Sequence, residues 1–351
     1  MKDESFYEAS VIEGLETIGF RELQNLLGSR FRALHPPDRW PGVLQFEYTG
    51  DPRKLFQLKT ILAVFVVQQF SISRPKALLG HQNFQRLVEQ MNVIRHLNPK
   101  GSFRTFYLAA AGSDSNLMLR LRRELADAMG LMQSDEEGDL LLRVRHPLNG
   151  QAIWETLVRM SPRPLSTRNW RVCNYEGALN ATVAYAMALL TNPTPTDIFL
   201  NPACGSGTLL IERLSSAPVK LAIGCDIQSD AIQCANKNVH ASSYSRPIRV
   251  YPWDARFLPF PNHSIDALVS DLPFGHLVGS HAENKILYPR LLNEAARVAK
   301  QNARFVLITH EVRMMDALLK NSAKWMVDHV LPITLNGLHP RIYVLRNIKS
   351  S

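Results

Sequence analysis

The sequence has little that would place it outside a reducing compartment or in a membrane. Cysteine occurs four times in 351 residues, at Cys173, Cys204, Cys225 and Cys234, and no two form a CxxC pair. That spacing gives no zinc or redox-dithiol motif, so the expectation is four buried free thiols and no metal. Long apolar runs are also missing. The longest, residues 61–67, has the length of a core strand or helix and falls far short of the ~20 residues a membrane span needs. No apolar signal core follows the acidic start at Lys2-Asp-Glu-Ser5, so the expected location is the cytoplasm. Repeats and low-complexity stretches are lacking, and a hydrophobic fraction of 46% is that of a globular protein, which argues against disorder.

What is present is positive charge. Forty Lys and Arg against 31 Asp and Glu leave a net +9. Both halves share it: residues 1–172 carry 23 basic and 18 acidic residues, and residues 173–351 carry 17 and 13. Arginine supplies 18 of the first 23, and its planar fork suits bidentate phosphate contact. A polyanion partner would explain the balance, and so would an ordinary mildly basic protein.

At roughly 100–200 residues per domain the length suggests two domains. A break lies near residues 161–170, where two prolines, small polar residues and arginines read as a connector. Beyond it strand and helix signals alternate. Strands are predicted at 197–200, 219–226, 248–251, 265–270 and 303–309. Helices are predicted at 208–214, 229–239, capped by Ser229 or Asp230, and around 285–300. Residues 325–334 and 341–346 flank Asn336-Gly337 as a terminal hairpin. This pattern implies an α/β fold with a mainly parallel sheet, and a ligand beyond the carboxyl ends of its strands. The first half is sparser, with helices predicted at 11–27 and 116–129 and strands at 42–48 and 140–145.

The chemistry-bearing residues follow strands. Asn201-Pro-Ala-Cys-Gly-Ser-Gly-Thr208 joins a strand to a helix, and Gly205 and Gly207 permit a tight turn close to a ligand. Asp226 ends the next strand about 20 residues on, where an acid can accept ribose hydroxyls. Leu210 stands where a dinucleotide fingerprint has its third glycine, which favours a nucleoside without pyrophosphate. Asp254, after the third strand, can accept a hydrogen bond from an adenine amine. The fourth strand ends in Ser270-Asp-Leu-Pro-Phe-Gly275, a [DN]-x-P-[FYW] tetrapeptide suited to methyl transfer onto an exocyclic amine. Asp271 would hold the amine hydrogens, Pro273 would stiffen the turn, and Phe274 would stack a flipped base. A Gly-rich turn, a helix cap or an Asp-Pro turn would explain any one of these alone. Their succession along one sheet edge is what points to catalysis. No cysteine follows a proline at the fourth strand, so covalent catalysis is not indicated.

These residues resemble the THUMP-domain tRNA guanine-N2-methyltransferases, a class I S-adenosylmethionine-dependent family. Cys204–Thr208 with Ile211-Glu212, and Asp271–Gly275, are the specific matches. Glu13-Gly-Leu-Glu16 with Glu22-Leu23, residues 103–165, Pro164–Arg168 with Trp170-Arg171, Gly177–Asn180 with Thr182, and Gly337–His339 extend the similarity more weakly over nearly the whole chain. The resemblance implies a Rossmann-like class I methyltransferase domain with a mostly parallel seven-stranded sheet at 176–351. It would follow α+β modules: a ferredoxin-like module at 1–65, a THUMP RNA-binding domain at 66–162 and a linker at 163–175. S-adenosylmethionine would be held by Asn201, Ala203, Cys204, Gly205, Ser206, Gly207, Thr208, Asp226, Ile227, Asp254, Ala255 and Asp271. Asp271, Pro273 and Phe274 would present the guanine. Arg143, Arg145, Arg168 and Arg171 would touch RNA phosphates. The implied partner is tRNA, bound by a monomer without membrane or metal. The implied product is N2-methylguanosine at the sixth nucleotide of the acceptor stem. Methylation of ribosomal-RNA guanine or of an adenine amine, and an inactive RNA-binding homologue, are the alternatives. Asn201 departs from the family's usual Asp, which removes a charge attraction to the cofactor's amino group. Glu13 departs from its usual Pro.

Overall fold

The computed structural model describes residues 5–273, 280–335 and 337–348. Internal contacts divide the chain into two units: residues up to 11 with 16–165, and residues 12–15 with 166–351. The division falls inside the proline-rich connector predicted from composition.

The first unit runs β1 (Ser5–Val11), α1 (Glu16–Leu27), β2 (Phe31–Ala33), β3 (Val43–Tyr48), β4 (Ile61–Phe70), α2 (His81–Leu97), β5 (Thr105–Ala110), α3 (Asn116–Met129), β6 (Met132–Gln133), β7 (Leu140–Arg145) and β8 (Trp154–Arg159). Its strands form one sheet in the order β2-β3-β1-β4-β8-β7-β5-β6. β4 spans residues 65 and 66 at the centre of this sheet, so the boundary expected between two modules falls within a strand. α3 illustrates the local logic. The Ser115 hydroxyl accepts from the Met118 amide, Gly130 closes the helix at φ +63°, and Met118, Leu121, Leu125 and Met129 form the buried stripe. Along β7 the alternation is clean. Leu140, Leu142 and Val144 pack with residues of α2 and α3, while Leu141 packs on the opposite face with Ala63, Phe65, Val67 and Leu157.

The helix expected over 11–27 is shorter than its periodicity suggested. Val11 closes β1, and Gly14 turns the chain at φ +94° before α1 begins at Glu16. Residues 12–15 instead join the second unit, where the Thr334 amide donates to the Glu13 carbonyl at 3.0 Å. A Cβ on Gly14 would lie 2.1 Å from the Pro332 carbonyl oxygen, which only glycine avoids.

The second unit runs α4 (Ala181–Leu190), β9 (Ile198–Pro202), α5 (Thr208–Ser216), β10 (Leu221–Cys225), α6 (Ser229–Ala241), β11 (Ile248–Tyr251), β12 (Ile265–Asp271), α7 (His281–Val298), β13 (Ala299–Thr309), α8 (Val312–Lys320), β14 (Trp325–Pro332) and β15 (Arg341–Asn347). Its seven strands lie in the order β11-β10-β9-β12-β13-β15-β14. The five from β11 to β13 are parallel, and β15 runs antiparallel between β13 and β14. Central strands of such sheets are buried on both faces, and residues 267–270 of β12 all are. The terminal hairpin is present as β14 and β15; Asn336 of its expected turn lies outside the described residues. α6 begins without the expected side-chain cap, since Gln228 is its N-cap and makes no such bond.

Two cysteines depart from expectation. Cys173 and Cys234 form a disulfide with Cα atoms 5.4 Å apart, while Cys204 and Cys225 are buried free thiols. The pair is 61 residues apart in sequence, so no local spacing signals it. Packing of the connector against α6 brings the two together: the Asn238 side chain accepts from the Val172 and Cys173 amides and donates to the Cys173 carbonyl.

Candidate active site

The strand order reverses between β9 and β12, and the loops after β9, β10, β11 and β12 all leave the same sheet edge. This is where an open parallel sheet leaves room for a ligand. β9 and β12 are cross-tied there. The Asn201 amide nitrogen donates to the Val269 carbonyl at 2.9 Å, and the Ser270 hydroxyl donates to the Pro202 carbonyl at 2.7 Å. The first bond gives the departure at 201 a physical reason, because an ionised Asp has no hydrogen to donate to Val269. The Asn201 Oδ1 is buried and has no partner among the described residues.

The glycine loop follows. Ala203, Gly205 and Gly207 take φ of +53°, +51° and +77°, and the Cys204 amide donates to the Cys225 carbonyl at 2.9 Å. Gly207 is the N-cap of α5, and a Cβ there would lie 3.3 Å from the Ala235 Cβ. The Ser206 and Thr208 hydroxyls bond each other at 3.0 Å, and Asn238 donates to the Ser206 carbonyl at 3.0 Å. Asp226 fastens this loop to the end of β10. Its Oδ2 accepts from the Gly205 amide at 2.9 Å and its Oδ1 from the Gln228 amide at 3.0 Å. Each oxygen keeps a free lone pair. Ile227 beside it is 64% exposed, an apolar side chain at the mouth of a polar loop.

Asp254 is engaged more fully than its expected role required. The Arg256 amide and guanidinium bond it at 2.6–2.9 Å, and that pairing holds its carboxyl below the usual range. Ala255 is buried next to it.

Asp271 ends β12. Its Oδ1 is buried with no hydrogen-bond partner among the described residues, and burial pushes the carboxyl up to about 8. The Leu272 amide donates to the Ile308 carbonyl at 3.1 Å. The Pro273 carbonyl accepts from two α7 side chains that sequence reasoning did not single out: Asn284 Nδ2 at 2.9 Å and the Tyr288 hydroxyl at 2.7 Å. Phe274 and Gly275 lie outside the described residues.

The arginines expected to touch phosphate divide. Arg168 is buried and paired with buried Glu212 at 2.8 Å, so it serves the unit's own packing rather than a surface. Arg171 donates to the Leu179 carbonyl and the Thr208 hydroxyl, which again fastens the connector to α5. Arg145 pairs with buried Glu8 and Glu155, and Arg143 lies over the Phe65 ring at 4.4 Å from its centroid. Among the described residues no group of three or more His, Cys, Asp or Glu could hold a metal. No helix there is long and apolar enough to cross a membrane.

Residues 168–341 match the family described as RMKL-like, methyltransferase domain. The mouse tRNA (guanine(6)-N(2))-methyltransferase THUMP3 is 32% identical over 181 residues, covering 48% of this chain and 36% of the mouse protein. The tRNA (guanine(6)-N2)-methyltransferase of Thermus thermophilus is 28% identical over 210 residues, covering 59% and 61%. The matched stretch therefore spans about a third of the mouse relative's length. In fold, TrmN from Thermus thermophilus superposes with a TM-score of 0.76 at 21% identity, covering 98% of this chain and all of that one. SMU.472, a methyltransferase-fold protein solved with SAH, gives 0.69 at 15% identity over the whole of both chains. The C-terminal unit, which carries the sheet edge described above, is similar over residues 168–341 to the RMKL-like methyltransferase-domain family.

Proposed function

We propose that this protein methylates the exocyclic N2 amine of a guanine in tRNA, with S-adenosylmethionine as donor. The observation that carries the reading is Asp271: a buried carboxyl oxygen, unpartnered among the described residues, at the end of β12 beside the topological switch point. A buried polar atom without a partner costs stability, about 1–3 kcal/mol, and is retained where a ligand satisfies it.

The residues on this edge fit the donor. Asn201 Oδ1 is a second unpartnered acceptor for its ammonium group. Asp226 has lone pairs left for ribose hydroxyls, and Ile227 offers an apolar face to a flat ring. Asp254, beside Ala255, would take the adenine amine in exchange for one of the Arg256 bonds that now occupy both its oxygens. When bound, S-adenosylmethionine supplies a methyl group on a positively charged sulfur, open to in-line displacement. The chain supplies position and proton acceptance. Asp271 Oδ1 accepts an N–H of the guanine amine and orients its nitrogen toward the methyl. In its ionised form, whose affinity for protons burial raises, the same carboxyl takes up the proton the amine sheds.

The first unit is proposed to grip the RNA, with its ferredoxin-like and THUMP parts sharing one sheet through β4. A groove of about 570 Å³ on the second unit supports an RNA partner. Arg256, Arg290, Arg297 and Lys324 line it with Glu294, and Phe257 beside them is 69% exposed. Calorimetric titration with S-adenosylmethionine tests the reading. Saturable binding that weakens on Asp226→Ala is expected, and no measurable binding would sink it.

A further inference from the structure

We infer that Asn284 and Tyr288 are positioning residues, a two-donor clamp that sets the turn carrying Asp271. This rests on the methyltransferase reading and names the groups that aim its amine-binding site. Both residues are fully buried on α7, and both donate to one atom, the Pro273 carbonyl oxygen. Two donors fill the two lone pairs of a carbonyl and fix its direction as well as its distance.

Behind each donor stands a second bond that fixes which hydrogen it offers. The one hydroxyl proton of Tyr288 goes to Pro273. Thr309 Oγ1, 2.7 Å from the Tyr288 oxygen, therefore donates its own proton to it, while accepting from the Glu311 amide at 3.0 Å. The second amide hydrogen of Asn284 reaches Glu311 Oε1 at 3.4 Å, and Glu311 is in turn bonded by His281 Nδ1 at 2.9 Å. Thr309 ends β13 and Glu311 follows it, so the clamp joins the tip of β12 to α7 and β13 together.

A simpler role, filling the core, does not account for the polar atoms. Phenylalanine would fill the volume of Tyr288 without needing a partner for a buried hydroxyl. Proline at 273 gives the turn a fixed φ, but the orientation of the peptide after it is free until its carbonyl is held. An amine held by Asp271 must meet the methyl donor in line, and a misplacement of about 1 Å costs on the order of 100-fold in rate.

Tyr288→Phe tests this with two independent readouts. The first is single-turnover and steady-state methyl transfer, with Asp271→Ala as the reference loss. The clamp predicts kcat lowered by about 30- to 100-fold, with KM for RNA and the calorimetric Kd for S-adenosylmethionine within threefold of wild type. The second is amide hydrogen exchange at Leu272, whose bond to Ile308 lies next to the clamped carbonyl; it should quicken at least tenfold in the variant. Adding Asn284→Ala should deepen both effects. A kcat within threefold of wild type together with unchanged Leu272 exchange overturns the clamp. So does a loss of activity that follows an equal loss of cofactor binding, because that is a general structural defect. If wild type methylates no guanine while Leu272 exchange still quickens in the variant, the proposed function fails and the clamp stands.

Discussion

Two sets of buried acceptors, one in the sheet of the first unit and one at the switch point of the second, behave in opposite ways. In the first unit, Glu8 and Glu155 point from β1 and β8 onto the same face of the sheet, and Arg145 bonds both; Gln45 adds a bond to Glu8. The carboxylates there are answered from within. In the second unit, Asn201 Oδ1, Asp271 Oδ1 and Asn284 Oδ1 are buried with no partner among the described residues. Satisfied acceptors are scaffolding, whereas the orphaned ones underlie the proposed site, because an ammonium group and an amino-purine edge bring donors.

The largest way to test that contrast is Asp271→Ala. It should lower methyl transfer by about 1,000- to 10,000-fold, because it removes both the orienting acceptor and the proton acceptor. Binding of RNA, measured by filter retention, should stay within threefold. Asp271→Asn should show the cost of the orphan. The wild-type carboxyl, raised to about 8, is favoured when protonated, so stability is full below about pH 4 and is lost as pH rises to 8. At about 1.4 kcal/mol per pKa unit, and with the residue partly exposed, the variant should be more stable at pH 8 by about 4 kcal/mol. The two proteins should converge near pH 4, as followed by urea melts across that range.

The answered groups should respond in stability alone. Arg168→Ala takes the guanidinium away from buried Glu212, and should cost about 3–4 kcal/mol of unfolding free energy. A phosphate-binding arginine would instead flatten the salt dependence of RNA binding and leave stability untouched. Glu8→Ala leaves Arg145 with Glu155 alone, at 3.5 Å, and should cost about 2 kcal/mol without moving cofactor affinity.

The contrast also explains what could be read from the sequence. α3, β7 and β11 fall where capping and periodicity place them, at Asn116–Met129, Leu140–Arg145 and Ile248–Tyr251. The loop after β9 and the acids after β10, β11 and β12 were legible because each follows its own strand directly. α2 was missed: its N-cap is Gly80, and no side chain caps it. Asn284 and Tyr288 were missed because they meet Pro273 from 11 and 15 residues away, on a helix whose spacing carries no sign of the loop it holds. Arg168 was misjudged for the same reason. A guanidinium aimed at phosphate and one buried on Glu212 look alike until the fold brings position 212 beside it.

The most direct test is transfer of labelled methyl from S-adenosylmethionine to total unmodified tRNA, followed by nucleoside mass spectrometry. The account predicts that the label appears as N2-methylguanosine and disappears with Asp271→Ala. Label on an adenine amine, or no label despite measurable cofactor binding, would contradict it.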